Sequence, residues 1–185
     1  MLLIVSITGM PGAGKSTAAK ALVARGWTRV VMGDVIRAET KRRGLEPDAR
    51  NTGEVMKSLR KELGEAAVAE LCMTRVRRLK ADRVVIDGVR SMSEVEVFRK
   101  SADVLLVAVH ASRERRYALL RERGRSDDPL SLEMFQARDR RELSVGIAEP
   151  IALADEVVSN EHASPAKLTK QMNSVVDRWV GSVAP

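Results

Sequence analysis

The chain has 185 residues, which suffices for one compact domain and is too short for two ordinary domains. Hydrophobic residues make up 44% and charged residues 31%, a composition that excludes a disordered or fibrous chain. The formal net charge of +7 favours anionic partners such as nucleotide phosphates, whereas an aromatic content of 3% provides few stacking platforms for single-stranded nucleic acid.

Three further features limit where the protein acts. No apolar run approaches the roughly 20 residues of a membrane span, so we expect no membrane association. A single cysteine, Cys72, excludes an internal disulfide or a cysteine-based zinc cluster and fits the reducing cytoplasm, where we expect the protein to reside. The apolar residues 2–8 lack a basic head and a cleavage site, so they indicate a buried strand rather than a signal peptide.

Predicted strands and helices alternate along the chain. The predicted strands are residues 2–8, 29–32, 84–86, 104–109 and 156–159. The predicted helices are residues 16–25, 34–43, 52–63, 65–80, 91–100, 112–123, 131–145 and a final helix that opens at Ser164-Pro165. Five strands that alternate with helices predict a parallel sheet covered on both faces. Ligands of such folds bind at the carboxyl ends of the strands.

The strongest motif follows the first strand. It fits the pattern G-x-x-x-x-G-K-[ST] in full, and with the next residue it comprises Gly9, Met10, Pro11, Gly12, Ala13, Gly14, Lys15, Ser16 and Thr17. Glycines let the backbone approach phosphate oxygens, the lysine supplies a mobile charge, and the serine hydroxyl can hold Mg²⁺. The positive end of the following helix dipole adds to the attraction. The motif therefore predicts a site for a nucleoside triphosphate, with ATP and GTP both open.

An aspartate follows each of the next two predicted strands, Asp34 after residues 29–32 and Asp87 after residues 84–86. The spacing of Asp34 and Arg37 places them one helical turn apart, where they could orient an acceptor and bind an anionic group on it. Asp87 ends an apolar strand beside the phosphate-loop strand, which is the usual place for a carboxylate that orders the shell of Mg²⁺ together with Ser16. If the acceptor is a hydroxyl, Asp34 or Asp87 is the candidate general base.

Arginines form the third candidate group. Phosphoryl transfer spreads negative charge over oxygens that arginines on a mobile loop can neutralise. We expect Arg121, Arg125 and Arg138 to close over the transferred group. Four other arginines of this stretch are expected to be solvated, namely Arg115, Arg116, Arg140 and Arg141. We further expect Arg60 and Arg90 to bind the acceptor.

The segments GMPGAGKS, GDVIR, IDGVR and RERGRSDD together resemble the adenylate kinase (nucleoside monophosphate kinase) group over about residues 3–160. The chain also resembles a set of archaeal adenylate-kinase-related proteins, and dephospho-CoA kinase is a further relative. The resemblance implies that Asp34 and Arg37 line the acceptor pocket and that the arginine holds an acceptor phosphate. It also implies roles for Asp87, Arg90 and residues 123–128. The IDGVR segment is one residue shorter than the group's form, which sets the chain apart from AMP kinases.

These observations predict a three-layer α/β P-loop NTPase fold with a five-stranded parallel sheet. We expect a single domain over residues 1–185, with a small helical acceptor-side region at 34–80 and a short lid at 112–142. The expected function is Mg-ATP-dependent phosphoryl transfer to a small acceptor, either a nucleoside monophosphate or a nucleotide-like metabolite such as dephospho-CoA. The alternative is an adenylate-kinase-like ATPase in RNA or ribosome assembly, motivated by a net charge of +5 over residues 25–61. The sequence leaves monomer and dimer open.

Overall fold

The structure is a computed structural model and describes residues 1–124 and 129–183. The strands are β1 (Leu3–Thr8), β2 (Thr28–Val31), β3 (Arg83–Asp87), β4 (Asp103–His110) and β5 (Glu156–Ser159). The helices are α1 (Lys15–Val23), α2 (Met32–Arg42), α3 (Ala49–Leu63), α4 (Ala67–Leu79), α5 (Met92–Arg99), α6 (Arg113–Arg123), α7 (Leu132–Ser144), α8 (Ala148–Ala152) and α9 (Pro165–Val183). The bounds of the predicted elements lie within about three residues of these, and α8 is the one described helix that the sequence did not predict.

The five strands form one parallel sheet in the order β2-β3-β1-β4-β5. β1 lies at the centre, where Val5 pairs with Val85 of β3 on one side and with Leu105 of β4 on the other. All six residues of β1 are buried, as the continuous apolar run predicted. The predicted sheet is confirmed.

Helices cover both faces of the sheet and create two apolar cores. On one face, side chains of α2, α4 and α5 pack around Ile4 and Ile86. On the other face, α1 and α9 pack around Val5 and Val107. Alternate residues of β1 thus enter opposite cores, which is the period-two consequence of a strand buried on both sides.

The parallel arrangement places three strand ends next to one another. β1 ends at Thr8 and leads into the phosphate-loop motif, β3 ends at Asp87, and β2 leads directly into α2. Because α2 begins at Met32, Asp34 lies in the first turn of that helix and Arg37 one turn later. The candidate residues of three separate segments therefore meet at one edge of the sheet.

Candidate active site

Glycine is required at both ends of the loop that joins β1 to α1. Gly9 has a φ of +138°, and a Cβ at this position would lie 2.3 Å from the carbonyl oxygen of Val109. Gly14 has a φ of +105°, and a Cβ there would lie 2.6 Å from Nδ2 of Asn160. Side chains are thus excluded both by the backbone conformation and by the packing against β4 and Asn160.

Two buried side chains hold carbonyl groups of this loop. Nδ2 of Asn160 donates to the carbonyl of Ala13 at 3.0 Å, and Arg116 donates to the carbonyl of Pro11 at 3.0 Å. The helix α1 then begins with no side-chain cap on Gly14. The first amides of an uncapped helix lack intrahelical partners, so this helix start is suited to an anion.

Lys15 bends back over the loop. Its Nζ donates to the carbonyl oxygens of Gly9 at 2.5 Å and of Met10 at 3.1 Å. Burial and the nearby charge of Arg90 lower the pKa of Lys15 to about 8. Among the described residues, no carboxylate forms an ion pair with this ammonium group, and the phosphates of a nucleotide would supply its anionic partner.

A cavity of about 790 Å³ runs from this loop to the ends of β2 and β3. Its volume lies in the range of small-molecule sites. We call the part lined by Pro11, Gly12, residues 14–17, Lys20, Arg115 and Asn160 the loop end. We call the part lined by Arg29, Asp34, Arg37, Asp87, Arg90 and Glu142 the ion-pair end.

Three arginine–carboxylate pairs form the ion-pair end. Arg29 of β2 pairs with Asp87, and Arg37 pairs with Asp34 across one turn of α2. Nε of Arg90 donates to Oε2 of Glu142 at 2.8 Å, which joins the exit of β3 to α7. Burial acts to raise the pKa of Glu142, but the guanidinium of Arg90 prevails and holds it below its usual value.

A further ion pair fixes α7 against α6. Arg116 is buried and donates to both carboxylate oxygens of Asp139, at 2.8 Å and 2.6 Å. Its guanidinium carbon also lies 4.9 Å from the ring centroid of Phe135. Since Arg116 also holds the Pro11 carbonyl, one side chain connects the loop to the helix that bears Arg138 and Glu142. The expectation that Arg116 is a solvated residue is wrong, because its guanidinium is enclosed between these partners.

The structure brings most of the predicted residues into the cavity. Those that line it are Pro11, Gly12, Gly14, Lys15, Ser16, Thr17, Asp34, Arg37, Asp87, Arg90 and Arg138. Gly9, Met10 and Ala13 belong to the loop and contribute its backbone. Arg125 lies outside the described residues.

Two predicted residues do not reach the cavity. Arg121 is exposed on α6 and lies on a different face of that helix from the residues that line the cavity. The lining residues of α6 are Arg115, Leu119, Leu120, Glu122 and Arg123. Arg60 lies 3.6 Å from the buried carboxylate of Glu94, between α3 and α5. This pairing corrects the expectation that Arg60 extends to the acceptor.

Sequence reasoning missed several residues of the cavity, among them Arg29, Glu142 and Arg115. Arg29 lies in register with Val85 and therefore shares a face of the sheet with Asp87 two positions further on, a relation visible only once the strands are paired. Glu142 reaches the cavity through the packing of α7, which no local pattern encodes. Arg115 lines the loop end although the sequence suggested a solvated side chain. Arg115 lies one helical turn before Leu119, which also lines the cavity, and this spacing was the signal in the sequence that the two share a helix face.

The residues present fit a magnesium ion held jointly with a nucleotide. The described residues contain no group of three acidic, histidine or cysteine side chains that could bind a metal alone. Ser16 and Asp87 nevertheless supply a hydroxyl and a carboxylate beside the loop. Magnesium usually takes one or two protein oxygens and completes its shell with phosphate oxygens and water.

Comparisons with known proteins support this architecture. Residues 8–134 match the family model described as an AAA domain. The chain is 47% identical over 164 residues to a UPF0200 protein of Thermococcus onnurineus, an alignment that covers 86% of this chain and 89% of the relative. In the described part of the chain, no helix has the length and apolarity that a membrane span would require.

Two solved structures show the same fold. Protein TT1252 of Thermus thermophilus superimposes with a TM-score of 0.64 at 23% identity, over 96% of this chain and 97% of the other. Shikimate kinase of Acinetobacter baumannii, in complex with shikimate, has a TM-score of 0.59 at 14% identity, over 100% of this chain and 97% of the other. The protein has a P-loop kinase-like fold, and its sequence places it in the UPF0200 family.

Proposed function

We propose that the protein is a Mg-ATP-dependent phosphotransferase that moves the γ-phosphoryl group to a small acceptor. The observation that supports this most directly is the continuity of the cavity. One end is an uncapped helix start with Lys15 above it, and the other end carries arginines and carboxylates from β2, α2, β3 and α7. A binding module for a nucleotide alone would not require the second end.

The loop end is suited to the donor nucleotide. Its backbone amides and Lys15 would bind the β- and γ-phosphates, as the glycine-rich loop of other P-loop proteins does. Ser16 and Asp87 would hold Mg²⁺, which would neutralise charge on the transferred group. GTP remains open as the donor, because no described contact selects a base.

The ion-pair end is suited to the acceptor. Arg37 and Arg90 would bind it, and Asp34 would orient it. Arg138 of α7 would face the transferred group from the lid side, and Arg115 joins it as a candidate because it lines the loop end. The acceptors that the sequence suggests are nucleoside monophosphates and dephospho-CoA.

A coupled assay of ADP release tests this function. Purified protein with Mg-ATP would be supplied in turn with each nucleoside monophosphate, dephospho-CoA and small alcohols. We expect at least one acceptor to raise ADP release well above the acceptor-free rate, and Lys15→Ala to abolish that rise. Tight ATP binding without stimulation by any acceptor would contradict the proposal.

The structure gives no support to the alternative role in RNA or ribosome assembly. That role rested on the positive balance of residues 25–61, but many of these cations have local partners. Arg25 pairs with Asp177, Arg42 and Arg43 pair with Glu39, and Lys57 lies 3.4 Å from Glu54. Paired surface charges attract a polyanion less than the sequence total suggests.

A further inference from the structure

The ion-pair end differs from a phosphate site in its charge. Arg29, Arg37 and Arg90 supply three cations, and each already has a carboxylate partner. The six side chains together carry no net charge. Sites that bind a phosphate ester usually present guanidinium groups free to form two parallel hydrogen bonds with its oxygens.

A phosphate group could bind these arginines by displacing their partners, or through N–H groups that the partners leave free, since each guanidinium has five donors. Displacement would leave Asp87, which is 4% exposed, or Glu142, whose side chain is 18% exposed, without its cation in a largely enclosed position. In either mode the carboxylates would remain close to the incoming phosphate and repel it. The charge at this end therefore disfavours a dianionic acceptor group.

An alcohol would bind the same pairs without breaking them. A hydroxyl donates its hydrogen to a carboxylate oxygen and accepts a hydrogen bond from a guanidinium N–H at the same time. The cavity also offers no aromatic stacking surface for a base, because none of its described lining residues is aromatic. Both observations favour hydroxyl groups over a nucleoside monophosphate.

Asp34 is the carboxylate best placed to accept the proton of such an alcohol. Its side chain is 51% exposed at the cavity wall, whereas Asp87 is nearly buried and is committed to Arg29 and to the proposed magnesium site. One oxygen, Oδ1, accepts from Arg37. The other oxygen, Oδ2, accepts no hydrogen bond from the part of the chain that the structure describes.

We propose that the phosphoryl acceptor is an alcohol oxygen of a small polyhydroxylated molecule and that Asp34 is its general base. This rests on the proposed phosphotransferase function. The alcohol oxygen forms a bond to the γ-phosphorus while the bond from that phosphorus to the β–γ bridging oxygen breaks. The products are a phosphate monoester and ADP, and the alcohol proton passes to Asp34 and then to water.

The first test identifies the product bond by ³¹P nuclear magnetic resonance. Protein and Mg-ATP are incubated separately with nucleoside monophosphates and with small alcohols, namely glycerol, glycerate, ribose and inositol. A phosphate monoester formed with an alcohol supports the proposal. A phosphoanhydride formed with a nucleoside monophosphate overturns it, even though the phosphotransferase function would then stand.

The second test needs no knowledge of the natural acceptor. Water is the smallest hydroxyl acceptor, so the slow hydrolysis of ATP reports on the base. Asp34→Asn should lower that hydrolysis by roughly 100-fold, within the usual contribution of a general base, and leave the Kd of ATP unchanged. Asp34→Glu should restore part of the rate, together with its dependence on pH.

A matched control separates loss of the base from loss of an ion pair. Asp177→Asn breaks an exposed aspartate–arginine pair, with Arg25, away from the cavity, and should leave hydrolysis unchanged. Hydrolysis that persists at the wild-type rate in Asp34→Asn would overturn the assignment of the base. Absence of ATP binding in the wild-type protein would instead refute the proposed function itself.

Discussion

The two ends of the cavity present different chemical groups. At the loop end, the chain presents backbone amides, glycines with positive φ and Lys15, whose burial lowers its pKa to about 8. At the ion-pair end, side chains from four elements pair with one another and leave no net charge. In the part of the chain that the structure describes, no carboxylate pairs with Lys15, whereas Arg29, Arg37 and Arg90 each have a carboxylate partner. This difference favours the loop end as the place for the highly charged triphosphate.

The largest effect is expected from Gly14→Ala at the loop end. The added Cβ would meet Nδ2 of Asn160 at 2.6 Å in a backbone conformation that favours glycine, so the loop must shift. We expect ATP binding to weaken by more than about 100-fold in a titration monitored by calorimetry, since the amides lose their common orientation. Gly26→Ala is the control, because Gly26 also has positive φ but no atom within 4 Å of its Cβ position. Equal affinities in the two variants would refute the role of the loop geometry.

The next effect distinguishes two arginines of the lid region. Arg138 lines the cavity and Arg121 does not. Arg138→Ala should lower acceptor-dependent turnover by about 100-fold, the size expected when a positive group facing the transferred phosphoryl is lost. Arg121→Ala should leave turnover within about twofold of the wild type. Similar losses in both variants would show that the lid adopts another arrangement during turnover.

A smaller effect should appear when one pair of the ion-pair end is broken. Glu142→Gln keeps the shape of the side chain and frees Arg90 from its carboxylate. A freed guanidinium can bind a phosphate, and a charged hydrogen bond contributes about 1.5 kcal/mol, so the affinity for AMP should rise by roughly tenfold. Glu149→Gln, an exposed substitution on α8, should not change it. Unchanged AMP affinity in Glu142→Gln would mean that the neutrality of this end does not exclude phosphates.

The affinity for ATP should fall modestly as the pH rises above about 8, because Lys15 loses its charge in the free protein. Below pH 8, Lys15 is charged in the free protein and in the complex, so affinity is flat. Above pH 8, the free protein must take up a proton to bind phosphate, and affinity falls as pH rises. Between pH 7.5 and 8.5, the Kd should rise about threefold for a pKa of about 8. A Kd that decreases over this interval would contradict the environment described for Lys15.

The phosphate loop itself could be predicted from the sequence almost completely, because its chemistry is local. Gly9, Gly14 and Lys15 occur within one short segment, and their spacing alone specifies a loop followed by a helix. The strands could be located for the same reason, since continuous apolar runs mark those buried on both faces. These parts depend on contacts between near neighbours in the chain.

The ion-pair end could be predicted only in part, because its partners come together through packing. The local pair of Asp34 and Arg37 was visible at helical spacing. By contrast, Arg29 pairs across 58 residues and Arg90 across 52, so neither partner could be identified without the strand order and the position of α7. The predictions for Arg60 and Arg121 were wrong for the same reason. Arginine suits the chemistry, but both side chains lie on helix faces that do not line the cavity.

The most direct measurement is a calorimetric titration of Mg-ATP into the wild-type protein and into Lys15→Ala. We expect saturable binding of one nucleotide per chain in the wild type and a Kd at least about 100-fold higher in the variant, because charged hydrogen bonds to the phosphates are lost. Equal binding in both proteins, or no binding of ATP or GTP to a folded wild-type protein, would contradict it.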